Sequence, residues 1–112
     1  MFSFLNVKVP VVKRKFNITN KTTSEDMDLF FTNLWRSKLK THLVIDTTHS
    51  DNITLKRALS LKHIVDKHRD DSIRYVDRST VIVNSRLTSA VVKTALFFLK
   101  TSRPVHVECK FK

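Results

Sequence analysis

The 112 residues predict a single α/β domain, a four-stranded, largely parallel sheet packed by three helices in the order β-α-β-α-β-α-β. Three observations carry this. Short apolar runs rich in Val and Ile alternate with longer stretches whose apolar residues recur every three or four positions. The connections between them are short, as right-handed crossovers require. The composition, 41% hydrophobic and 28% charged, is that of a folded chain with room for one core over residues 1–112.

The first strand is expected between Asn6 and Ile18, where Val7, Val9 and Val11 alternate with Lys8 and Pro10. Pro10 has no N–H to give a ladder, which predicts an edge strand or one interrupted at that point. Asn20 to Ser24 reads as a polar turn, and Thr22-Thr23-Ser24-Glu25 as a capping box opening a helix. Met27, Phe30, Phe31, Leu34, Trp35 and Leu39 form the apolar stripe of that helix. Glu25, Asp26 and Asp28 at its start, and Arg36, Lys38 and Lys40 in its last turn, complement the helix dipole.

His42 to Asp46 has the pattern of a buried strand ending in a carboxylate, followed by a polar loop from Thr47 to Asn52. Ile53 to Arg69 reads as one helix with Leu55, Ala58, Leu59, Leu61, Ile64 and Val65 on its buried side, and Asp70-Asp71 as a solvated loop. Thr80 to Val83 is a further buried strand, with Asn84 and Ser85 placed to cap a helix over Leu87 to Leu99. That helix is apolar nearly all round, which predicts either deep burial or a face shared with a partner. Its Phe97 and Phe98 are the expected protein interface. After Pro104, Val105 to Lys110 closes the chain as a strand.

Glycine is absent altogether. Neither a GxGxxG turn nor a GxxxxGK loop can therefore exist, which excludes nucleotide enzymes of the Rossmann and Walker types on motif grounds. Turns are expected to fall to Asn, Asp, Ser and Thr. Lys and Arg number 21 against 10 Asp and Glu, a net charge of +11 that draws polyanions. Lys13, Arg14 and Lys15 near the first strand's end, with Arg36, Lys38 and Lys40 on the first helix's last turn, are candidate phosphate contacts of a sequence-blind, salt-sensitive kind.

No catalytic residues and no metal or cofactor site are expected. His63 and His68 are five apart and do not share a helix face. Strand alternation turns His106 away from Cys109, which reads as a small core residue. The lone cysteine and the lack of a long apolar leader or a span of ~20 apolar residues point to an intracellular setting (cytoplasm, nucleus or virion) without a membrane span. The sequons at Asn17, Asn20 and Asn52 then read as coincidences. In a parallel sheet, ligands gather at the carboxyl ends of the strands. That places Thr47, Thr48, His49, Ser50 and Asp51 of one loop beside Asn84, Ser85 and Arg86 of another as a candidate ligand or anion rim. Arg86 puts a cation at the positive end of a helix, where an anion would balance it.

Leu43-Val44-Ile45-Asp46-Thr47-Thr48 resembles the STAS family (anti-sigma-factor-antagonist-like domains), in which a strand ends in an aspartate and a polar residue. Val81-Ile82-Val83-Asn84-Ser85, followed by Ala90-Val91-Val92 and Leu96, resembles that family's later strand and helix, and the likeness spans about residues 23–107. Where the family has a switch serine in an Asp-Ser-Ser-Gly-like loop, this chain has Ser50-Asp51-Asn52 and no glycine. The resemblance implies a non-catalytic module that docks on a protein or assembles with itself. The charge supports a second expectation, a basic nucleic-acid-associated protein such as a virion or packaging component.

Overall fold

The computed structural model describes residues 10–101 and 103–110. Strand β1 (Val11–Thr19) leads through helix α1 (Ser24–Trp35) to β2 (Lys40–His49). Three short helices follow, α2 (Leu55–Leu59), α3 (Lys62–Lys67) and α4 (Arg69–Tyr75), and then β3 (Val76–Val83), α5 (Arg86–Leu99) and β4 (Val105–Cys109). The sheet order is β1-β2-β3-β4 and every pairing is parallel. The expected α/β layout and the edge position of the first strand both hold. Val7 and Val9 lie outside the described residues, and Pro10 immediately precedes β1 rather than interrupting it.

Each strand is added on the same side of the last one. Right-handed crossovers then place every helix on one face of the sheet. The register shows this directly: Phe16, Ile45, Val81 and Val107 form one row across all four strands. That row packs against the helices, Phe16 and Ile45 with Met27, Phe31 and Ile64, and Val81 and Val107 with Val92 and Leu96. The neighbouring row, Lys15-Val44-Thr80-His106, points away from them.

Several boundaries differ from expectation, each for a local reason. The capping box uses Thr23 and Asp26 rather than Thr22 and Glu25: Asp26 N–H donates to Thr23 Oγ1 (3.1 Å) and Thr23 N–H to Asp26 Oδ2 (2.9 Å). α1 stops at Trp35, because Ser37 Oγ takes the Leu34 carbonyl (3.1 Å) and Lys38 turns left-handed at φ 55°. Arg36, Lys38 and Lys40 are therefore not in its last turn. Arg36 is the cap, Lys38 makes the reversal, and Lys40 opens β2, leaving Leu39 exposed. The two left-handed residues described are Lys38 and Lys100, not the Asn, Asp, Ser or Thr expected without glycine.

The expected single helix over Ile53 to Arg69 is three. Ser60 Oγ donates to the Arg57 carbonyl (2.5 Å) and the Leu61 amide tightens onto Ala58 (3.2 Å), which ends α2. His68 leaves helical geometry (φ −99°, ψ 11°) where its ring turns inward, dividing α3 from α4. Asp70 and Asp71 lie in the first turn of α4 rather than in a loop, where acids suit the dipole. β3 begins at Val76, four residues before the expected Thr80.

The core is two clusters, one around Phe31, Trp35 and Leu43 and one around Val81, Val83 and Val92, bridged by Ile45 and Ile53. Between the helices and the sheet they leave a partly open cavity of about 280 Å³.

Candidate functional site

The helix-free face of the sheet is polar, and its charge is graded along the strands. Near the amino ends, Lys13, His42 and Arg78 stand side by side in register on β1, β2 and β3, with Lys40 next along β2. Nearer the carboxyl ends the row is Asn17, Asp46, Ile82 and Glu108. Burial lowers the pKa of His42 first, and the cations Arg78 and Lys13 lower it further against a small opposing pull from Asp77. His42 Nε2 lies 2.9 Å from Thr80 Oγ1. Asp46 is buried, and burial alone would raise its pKa. Hydrogen bonds from Thr48 Oγ1 (2.6 Å), the Thr48 amide (2.8 Å) and Lys15 Nζ (3.2 Å) outweigh that and hold the carboxyl below its ordinary value.

The six candidate phosphate contacts do not form one cluster. Lys13, Lys15 and Lys40 share the helix-free face by alternation, and Arg14 is on the other side of the strand. Arg36 and Lys38 lie in the α1–β2 turn. Lys13, Arg14 and Lys15 are in mid-strand, not near the end of β1. Other cations, Lys56, Lys62, Lys67 and Lys93 among them, sit on the helical layer.

At the carboxyl ends, the expected rim divides into two. Over β1 and β2, Arg57 joins two loops: Nη2 donates to the carbonyls of Thr19 (2.7 Å) and Thr22 (2.9 Å), and Nη1 to Ser50 Oγ (3.0 Å) and Asn52 Oδ1 (2.5 Å). Ser50 is buried, with its hydroxyl 2.9 Å from Asn20 Oδ1 and 2.7 Å from Asn52 Oδ1, and the Asp51 amide donates to Asn20 as well. The hydrogen-bond partners of this serine are amides and a guanidinium, none of them a general base. Thr47 is turned inward and donates to the Ile82 carbonyl (2.8 Å), so it is not part of a rim. Thr48 is engaged with Asp46, and His49 and Asp51 are exposed. Over β3, Asn84 reaches the Thr48 carbonyl (3.4 Å), Ser85 caps α5 by accepting from the Thr88 amide (3.1 Å), and Arg86 is exposed.

α5 is buried along one side only. Val92, Ala95 and Leu99 face the sheet, whereas Leu87, Ala90, Phe97 and Phe98 face out. Leu87 is 78% exposed, Phe97 77% and Phe98 52%, and the two phenylalanine rings pack edge to face at 5.5 Å. Arg86, Lys93 and Lys100 are exposed among and around these apolar side chains.

A fourth constellation joins α1 to the break before α4. Trp35 Nε1 donates to His68 Nδ1 (3.0 Å), His68 Nε2 lies 2.6 Å from Asp28 Oδ1, and Lys67 Nζ 2.8 Å from Asp28 Oδ2. An indole N–H only donates and an ionised carboxylate only accepts, so His68 is the neutral Nε2–H tautomer. Lys67 first, then His68, hold the Asp28 carboxyl below its usual range.

The sequence did not single out Arg57, Asn20, Trp35 or His68 as partners. They are brought together from 31 or more positions apart in most of these contacts, and neither spacing nor residue type announces it. Among the described residues no three of His, Cys, Asp and Glu come together as metal ligands, and no helix is long and apolar enough to cross a membrane. No family model, no curated protein and no solved structure matches the chain.

Proposed function

We propose that the chain is a non-enzymatic docking module, STAS-like in kind, that binds another protein through the outer face of α5. The observation that carries this is the exposed Phe97–Phe98 pair, aligned on one helix face with Leu87 and Ala90. Exposed aromatics of this size are the usual anchors of an interface. Arg86, Lys93 and Lys100 and the net charge of +11 select the partner: a surface apolar at its centre and acidic at its rim, in preference to a second, equally basic copy. The test is a photo-cross-linking amino acid at Phe97 in the full chain, with one at exposed Lys56 as control. A discrete adduct on an apolar, acid-flanked segment, lost with Phe98→Asp and weakened by Lys93→Glu, is the expected result. Adducts equal to the control, or a homodimer joined through α5, would sink the proposal.

The helix-free sheet face favours a second reading, binding of a nucleic-acid backbone by the Lys13-His42-Arg78 row. Phosphates need only such cations, and an anion there would ease protonation of His42. Titrating a labelled single-stranded oligonucleotide from about 50 to 200 mM salt should show a steep loss of affinity, at least several-fold less binding in Lys13→Ala/Arg78→Ala, and tighter binding as pH falls below about 6.5. No binding at the lowest salt removes this reading and leaves the first intact.

A further inference from the structure

The cavity between the helices and the sheet is a feature that neither surface explains. It runs along the strands, from Thr22, Thr23 and Arg57 at the carboxyl end to Ser79, Thr101 and Arg103 at the amino end. Its walls are aliphatic and aromatic, with Phe31 and Trp35 on one side, Ile45 and Val81 on the sheet, and Leu96 and Leu99 on the inner side of α5. We propose that this cavity binds a single-chain carboxylate amphiphile, its hydrocarbon lying between α1, α5 and the sheet and its carboxylate held at Arg103.

Size, shape and charge each bear on the ligand. An apolar cavity of ~150 Å³ takes up one benzene ring, so about 280 Å³ holds roughly twice that, a chain on the order of ten carbons. An elongated apolar lining with polar groups at its ends suits a chain with one polar head. The lining residues include two guanidiniums and no carboxylate, which selects an anionic head. Arg57 is committed through both Nη atoms to the two loops it joins. Arg103 engages the Ile73 carbonyl through Nε and Nη2, its Nη1 makes none of the described hydrogen bonds, and it lines the amino end of the cavity together with Ser79 and Thr101. That end takes the head group, since a carboxylate there adds a charge-assisted bond without dismantling an existing one.

The chain supplies its own reporter, because its single tryptophan, Trp35, is in the cavity wall. Titration of the full-length protein with decanoate, below its micelle concentration, should give a saturable one-to-one change in Trp35 emission and a raised Tm. Decanol, which lacks the charge, should bind about tenfold more weakly. Arg103→Gln should bring decanoate down to the level of decanol and leave decanol unchanged. Ala58→Phe, which fills the cavity from α2, should abolish uptake of both, and Val65→Phe fills it from α3 if the first variant does not fold. The absence of any saturable change in the wild type, or uptake that survives filling, overturns the site. Equal affinity for decanoate and decanol overturns the assignment of the head group to Arg103.

Discussion

The two faces of the sheet are built from the same four strands, yet one is a core and the other is a charged surface. Val81 and Thr80 are adjacent in sequence and belong to different environments: Val81 packs against Val92 and Leu96, and Thr80 faces the histidines of β2 and β4. What separates them is winding direction. A sheet that reverses direction midway gains helices on both faces, and one that always advances the same way gains them on one. The apolar alternation in β1 and β4 is the sequence's record of that choice. β2 and the carboxyl end of β3, the two strands with neighbours on both sides, approach the continuous apolar run of a strand covered twice, with Val44 and Ile82 buried on the open face.

This contrast is open to direct attack. Val81→Lys places an ammonium against the core and should abolish cooperative folding, a loss of more than about 4 kcal/mol, whereas Thr80→Lys should stay within about 1 kcal/mol. Urea denaturation followed by circular dichroism separates the two, and similar losses would mean that the open face is not open. Next in size is Arg57→Ala, which removes the clasp between the β1–α1 and β2–α2 loops on the covered side. Leaving two loop carbonyls and Ser50 without their donor should lower stability by about 2–3 kcal/mol, and Arg57→Lys should recover only part of it. An effect below about 0.5 kcal/mol would show the clasp to be idle.

The smallest effects belong to the open face and depend on pH. The pKa of His42 is lowered on folding, so the unfolded chain binds the extra proton. Stability from this group is complete above its ordinary value of 6.5 and declines as pH falls toward the folded value. The Asp46 carboxyl is also lowered, so its contribution is present above 3.8 and is lost as pH falls through the folded value. Both slopes have the same sign, acid destabilising. Urea midpoints between pH 7.5 and 3 should slope less just below 6.5 in His42→Gln and less below 4 in Asp46→Asn. Unchanged slopes would contradict these assignments.

Much of the fold was legible in the residues, and much less of the sites. The strand–helix alternation is written in periodicity, and α1 and α5 begin near where their capping residues indicate. The breaks at Ser60 and His68 were not visible, since Leu55 to Val65 keeps a helical apolar period straight through the first of them. Tertiary contacts made them: Arg57 draws α2 toward two loops, and Trp35 and Asp28 draw His68 out of line. At the carboxyl ends, tertiary contacts likewise draw some of the expected rim residues inward. Thr47 and Ser50 look like loop hydroxyls in the sequence but are buried structural donors and acceptors in the fold. The exposure of Phe97 and Phe98, by contrast, was readable, because an apolar residue on every face of a helix must leave some of them outside.

The left-handed end of α5 has a consequence for how the domain comes apart. Lys100 adopts a posture that glycine would take without strain, and Arg69, from α4, holds that end by donating to the Lys100 carbonyl (2.7 Å) and the Leu99 carbonyl (3.4 Å). The stop signal of one helix is thus supplied by another, thirty-one residues earlier. Fraying of α5 is therefore not a local event: α4 and the turn bearing Phe97 and Phe98 should open and close as one cooperative unit, with matched amide-exchange protection.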